Sequence, residues 1–120
     1  MIAPDQFIKM VGLLQQSTEK NLLEWKRDNS GLFFTIINGC RVDIESYFDT
    51  DFRDSAIKVR FFNVDGRIFN TSYYTKKVDV KEYELLSRLH DTIRDRYYKV
   101  TESEQLIFNG LNDILKGKGE

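Results

Sequence analysis

The sequence predicts an α+β domain over residues 1–120: an N-terminal helix, an antiparallel meander of four or five strands, then two C-terminal helices, in two-layer packing. Three observations carry this. Asn38-Gly39 and Asp65-Gly66 each sit between apolar runs, and such pairs mark β-hairpins because both turn residues must accept positive φ. Apolar residues recur at helical spacing at both ends of the chain. The strands follow one another with no helix between them, which leaves an antiparallel sheet with the helices gathered on one face.

Each element has its own reason. In "APDQFIKMVGLLQQSTEKN", Pro4 suits the first helical turn and Asp5 adds favourable charge there. Phe7, Met10, Val11 and Leu14 form the apolar stripe of that helix. In "NLLEWKRDNSG", Leu23 and Trp25 alternate with Glu24 and Lys26, which reads as a short strand before the turn Asp28-Asn29-Ser30-Gly31. "LFFTIINGCRVDIESYF" is the first hairpin, "FDTDFRDSA" a polar connection, and "IKVRFFNVDGRIFNTSYY" the second hairpin. "DVKEYELLSRLHDTIRDRYYKV" carries Tyr83, Leu86, His90, Ile93 and Tyr97 on one stripe. Its exposed side is expected to hold the i,i+4 pairs Glu84/Arg88 and Asp95/Lys99. "TESEQLIFNGLNDIL" opens with the pattern of a capping box, Thr101 to Glu104, and has an apolar face of Leu106, Ile107, Leu111, Ile114 and Leu115. The tail "KGKGE" is expected to fray.

Composition narrows the function classes. A 120-residue chain that is 41% hydrophobic can bury one core without metal or disulfide support. Net charge is −1, so no global basicity points to nucleic acid. The single cysteine, Cys40, has no partner within the chain, and "MIAPDQFIKMVGLLQQ" lacks the basic stretch and unbroken apolar run expected of a secretory leader. Both point to a reducing, cytoplasmic setting. No apolar run approaches the ~20 residues of a membrane span.

The turns set the register, and the register sorts side chains between two sheet faces. A two-residue loop at Asn38-Gly39 pairs Ile36 with Arg41 and Phe34 with Asp43. A two-residue loop at Asp65-Gly66 pairs Phe62 with Phe69, Arg60 with Thr71 and Lys58 with Tyr73. Cys40, Val42, Ile44, Phe48, Ile57, Val59 and Phe61 are then expected to meet the helices. The opposite face holds Tyr47, Phe62, Phe69 and Tyr73 as rings, with Arg41, Lys58, Arg60 and Arg67 as cations. Asp43 and Glu45 share it. The two hairpins present these residues together only if residues 49–55 contain no bulge.

Two readings compete for that face. Cross-strand aromatic and charged pairs stabilise a sheet by roughly 0.2–1 kcal/mol each, and Arg and Lys stems cover rings, so the face is explicable as structure alone. Exposed rings rimmed by charge also mark protein interfaces, which favour Tyr, Phe and Arg. The leading functional expectation is a small non-catalytic protein-interaction module. It would be a regulator or inhibitor of a larger partner, bound through these eight residues to another protein or to a second copy of itself. The second expectation is a single-stranded nucleic-acid-binding protein that stacks bases on the same rings. The helix–meander–helix order is similar, in topology alone, to double-stranded-RNA-binding domains. The basic cluster those domains carry at the start of the last helix is missing, since "DVKEYELL" is acidic on balance.

The third expectation is a small enzyme whose site no motif announces. His90, the only histidine, lies between Leu86 and Ile93 on a helix stripe, where a half-buried role is expected. A Cys40–His90 pair would need hydrogen-bond contact. Asp49, Asp51 and Asp54 crowd one loop, but the central Gly and closing Glu of a calcium loop are absent and Arg53 intervenes. Gly31, Gly39 and Gly66 are turn residues, not a phosphate cradle. No catalytic residue, metal or cofactor is assigned from sequence.

Overall fold

The computed structural model describes residues 2–117. From Lys118 on, the expected fraying of the tail lies outside the described residues. The chain runs α1 (Pro4–Glu19), β1 (Lys26–Arg27), β2 (Phe33–Ile37), β3 (Cys40–Asp49), β4 (Asp54–Phe62), β5 (Ile68–Thr75), α2 (Val80–Tyr98) and α3 (Val100–Gly117). The five strands form one antiparallel meander in the order β1-β2-β3-β4-β5. The α+β layout is the one the sequence predicts.

Helix α1 begins at Pro4 and stops at a left-handed Asn21, φ 57°. The Leu22 N–H then reaches back to the Ser17 carbonyl at 2.9 Å, closing the orphan carbonyls of the last turn. Trp25 returns the chain to the helix: its indole N–H donates to Thr18 Oγ1 at 3.0 Å, and the Thr18 hydroxyl donates to the Leu14 carbonyl at 2.6 Å. The strand expected around Trp25 forms, but it is only two residues long and pairs Lys26 with Phe34 and Arg27 with Phe33.

The core lies between one sheet face and helices α1 and α2. Phe7, Val11 and Leu14 from α1 and Leu86, Leu89 and Ile93 from α2 meet Val42, Ile44, Ile57, Val59 and Phe61. The two helices also touch each other, with Gln15 Nε2 donating to Thr92 Oγ1 at 2.9 Å.

The registers decide the faces. The Asn38-Gly39 turn pairs Ile37 with Cys40, Ile36 with Arg41 and Phe34 with Asp43, as expected, with positive φ at both turn residues. The stretch from 49 to 55 is itself a hairpin without a bulge: Asp49 pairs with Asp54, Glu45 with Lys58 and Asp43 with Arg60. Both hairpins therefore share their faces.

The second hairpin departs from expectation at its tip. Phe62 pairs with Ile68, not Phe69, and a bulge falls between Phe61 and Phe62. The loop is longer than two residues. Asn63 Oδ1 accepts from the Asp65 and Arg67 N–H groups at 3.0 and 2.9 Å, and Gly66 alone takes positive φ. A side-chain turn at Asn63 thus outcompetes the tight Asp65-Gly66 turn.

Three helix details also differ. Arg88 pairs with Glu19 of α1 at 3.9 Å, and Asp95 pairs with Arg96 at 2.7 Å, in place of the i,i+4 pairs. Thr101 does not cap α3 with its own oxygen; its N–H and hydroxyl both donate to Asp95 Oδ1, at 3.2 and 2.7 Å. Lastly, α3 has no buried residue. Lys99, left-handed at φ 52°, turns the chain at the end of α2, and α3 leaves the two-layer body. The molecule is 65 Å long against 36 and 28 Å across.

Candidate functional site

The face turned away from α1 and α2 is organised around two carboxylates. Asp43 stands in the middle of β3 with only 1% of its surface exposed. Directly across, Arg60 grips it with a two-point fork: Nε to Oδ1 at 2.9 Å and Nη2 to Oδ2 at 2.8 Å. This hydrogen-bonded pairing raises the Arg60 pKa further above the ordinary arginine value. Arg41 reaches the same Oδ2 at 3.4 Å and Asp28 at 3.7 Å. Burying Asp43 is tolerable because two guanidinium groups compensate its charge.

The rings lie beside these cations. The Arg41 guanidinium sits 4.1 Å from the Phe34 ring centre and 5.4 Å from that of Phe62, and Arg60 is 5.3 Å from Phe62. These are cation–π distances. Arg41 Nε is buried without a hydrogen-bond partner among the described residues.

The second carboxylate is Asp49, at the end of β3. It accepts from the Tyr73 hydroxyl and from the Asp51 and Phe52 N–H groups. The Tyr73 bond and the Phe52 N–H hold Asp49 below its ordinary carboxylate range. Conversely, the bond to Asp49 pushes the Tyr73 phenol far above its ordinary value. Tyr47 lies 6.4 Å from Tyr73 between ring centres, with the Lys58 ammonium 5.6 Å from the Tyr47 ring. Burial, then the Asp49 charge, raises the Tyr47 phenol.

Of the eight residues named from sequence, Arg41, Tyr47, Lys58, Arg60, Phe62 and Tyr73 come together on this face. Phe69 does not. The bulge turns it to the helix side, where its ring is 6.2 Å from Phe61. Arg67 lies in the hairpin loop, exposed, outside any strand. Sequence reasoning missed the organising roles of Asp43, Asp28 and Asp49. The Asp43–Arg60 pairing was implicit in the register, since both residues fall opposite each other once the hairpins are matched.

The residues weighed for catalysis are apart. His90 stacks edge-on against Phe33, ring centres 5.5 Å apart, and burial lowers its pKa. Cys40 pairs with Ile37, four residues along β2 from Phe33 and hence about 13 Å away along the strand. No Cys–His pair is assembled. A cleft of about 280 Å³ does open beside His90, lined also by Arg27, Arg94, Ser46 and Tyr98. Among the described residues, no three His, Cys, Asp or Glu side chains are grouped to hold a metal ion, and no helix is long and apolar enough to cross a membrane.

Comparison with protein-family models, with curated proteins and with solved structures finds no match to this chain.

Proposed function

We propose that the chain is a non-catalytic protein-interaction module that regulates or inhibits a larger cytoplasmic partner by docking it on the helix-free sheet face. One observation carries this reading. Asp43 holds Arg41 and Arg60, Asp49 holds Tyr73, and the Phe62 and Tyr47 rings lie against these and Lys58, so a partner meets a surface whose side chains are already ordered. Docking on ordered side chains avoids ~0.5–1.5 kcal/mol of entropy loss for each one that would otherwise be immobilised.

The same geometry argues against the nucleic-acid reading. Arg41 and Arg60 are engaged by Asp28 and Asp43, which leaves Lys58 and Arg67 to meet phosphates. Glu45 and Asp49 stand near Lys58 and repel a polyanion.

The test uses the full chain as bait in lysate of its native source, with and without nuclease, beside the Lys58→Glu and Phe62→Arg/Tyr73→Arg variants. A protein retained in stoichiometric amount by the wild type, indifferent to nuclease and lost from the variants, is the expected result. Equal retention by wild type and variants overturns the proposal. Loss of the bound material on nuclease treatment replaces it with the base-stacking reading.

A further inference from the structure

Helix α3 is an 18-residue amphipathic helix with an apolar stripe and no buried residue. Ile107, Phe108, Leu111, Ile114 and Leu115 follow one another at three- and four-residue steps, the spacing of one helix face, and each is more than half exposed. A helix of this length gains little stability in water from propensity alone; most helical stability in proteins comes from packing such a face. Gly110, next to the stripe and clear of all neighbours, lowers that propensity by a further ~0.5–1 kcal/mol relative to Ala. The stripe therefore calls for a covering surface, and α1 and α2 do not supply it.

We infer that the cover is α3 of a second copy, packed antiparallel about a two-fold axis at Leu111. The spacing is self-complementary. Reversing the helix about Leu111 exchanges Ile107 with Leu115 and Phe108 with Ile114, so every apolar position meets an apolar position. An isologous interface requires this closure, because the same patch must serve both sides.

Two further observations leave room for a second copy. The chain carries a net charge of −1, so two copies scarcely repel. The long axis of 65 Å places the stripe on a projecting arm, where an antiparallel partner meets little obstruction from either body. The five side chains, each more than half exposed, form a patch on the order of several hundred Å² per copy, below the ~800 Å² per partner of a standard interface. The inferred dimer is thus concentration-dependent. It is independent of the sheet-face proposal, because α3 contributes nothing to that face.

Sedimentation equilibrium of the full chain over a concentration series tests this. The expected mass rises from 14.2 kDa towards twice that value. Leu111→Lys, which sets two ammonium groups together at the axis, should weaken the dimer by at least about tenfold. The near-UV signal of the lone buried Trp25 should stay unchanged in that variant, reporting an intact body. In a Cys40→Ser background, Leu111→Cys should cross-link to itself under mild oxidation; Leu106→Cys should not, because Leu106, expected on the apolar face from sequence, lies about 140° round the helix from Leu111. A mass that stays at 14.2 kDa overturns the inference. So does a dimer indifferent to Leu111→Lys, or equal cross-linking from both positions. A dimer lost instead in Phe62→Arg would assign self-association to the sheet face.

Discussion

Arg60 and Asp43 face each other across β3 and β4 and share two parallel hydrogen bonds, with the carboxylate buried and the guanidinium about one-third exposed. Removing the arginine strands a charge that water reaches poorly. Arg60→Met should therefore destabilise the fold by about 3 kcal/mol, the low end of the range for breaking a buried pair, because Arg41 stays near the carboxylate. Asp43→Asn in the same chain should recover much of the loss. Urea denaturation of the four members of this double-mutant cycle measures both effects.

Acid should act on two separate groups. His90 has a lowered pKa in the fold, so the unfolded chain binds more protons and stability falls as pH drops below the ordinary histidine value, about 6.5. Asp49 has a lowered carboxylate pKa, so its contribution is present above the ordinary carboxylate range and lost as pH falls through the folded value. His90→Gln should flatten the first limb of a stability-against-pH curve. Tyr73→Phe should raise the Asp49 pKa towards normal, read by side-chain carboxyl NMR.

The Thr18 hydroxyl joins α1 to Trp25. Thr18→Val keeps the shape but leaves the buried indole N–H without an acceptor. A cost of roughly 1–3 kcal/mol is expected in thermal or urea unfolding. Thr18→Ser, which retains the oxygen, should recover most of the bonding part.

Lys99 occupies the left-handed region that costs a side-chain-bearing residue ~1–2 kcal/mol. Lys99→Gly should raise the stability of the bent form by about 1 kcal/mol, seen as a higher Tm. Gly66→Ala, at φ 82° with open space around it, should lower Tm through backbone strain alone.

The legible parts of this molecule are those where local chemistry and tertiary demand agree. Asn38-Gly39 predicts its register correctly because both residues take positive φ and no nearby side chain competes. Asp65-Gly66 misleads because the Asn63 carboxamide, two residues upstream, captures two backbone N–H groups and lengthens the loop. One bulge then moves Phe69 to the other face while leaving Lys58, Arg60 and Phe62 in place. Thr101 followed by Glu104 has the letters of a capping box, yet Asp95 accepts from both the N–H and the hydroxyl of the threonine. The α3 stripe was readable as apolar, but periodicity specifies a face and not what lies against it.

The elbow at Lys99 has a wider meaning. Val80–Tyr98 and Val100–Gly117 are separated by that one residue. Were it to adopt helical angles, the two would fuse into a single rod of about 57 Å at ~1.5 Å per residue. The bent arrangement is held by Asp95, whose hydrogen bond to the Thr101 N–H occupies a donor that the fused helix would give to the Tyr97 carbonyl. A single pair of backbone torsions thus works as a crank: it sets the direction in which every apolar side chain of α3 points, and with it the spacing and angle between the two bodies of the inferred dimer.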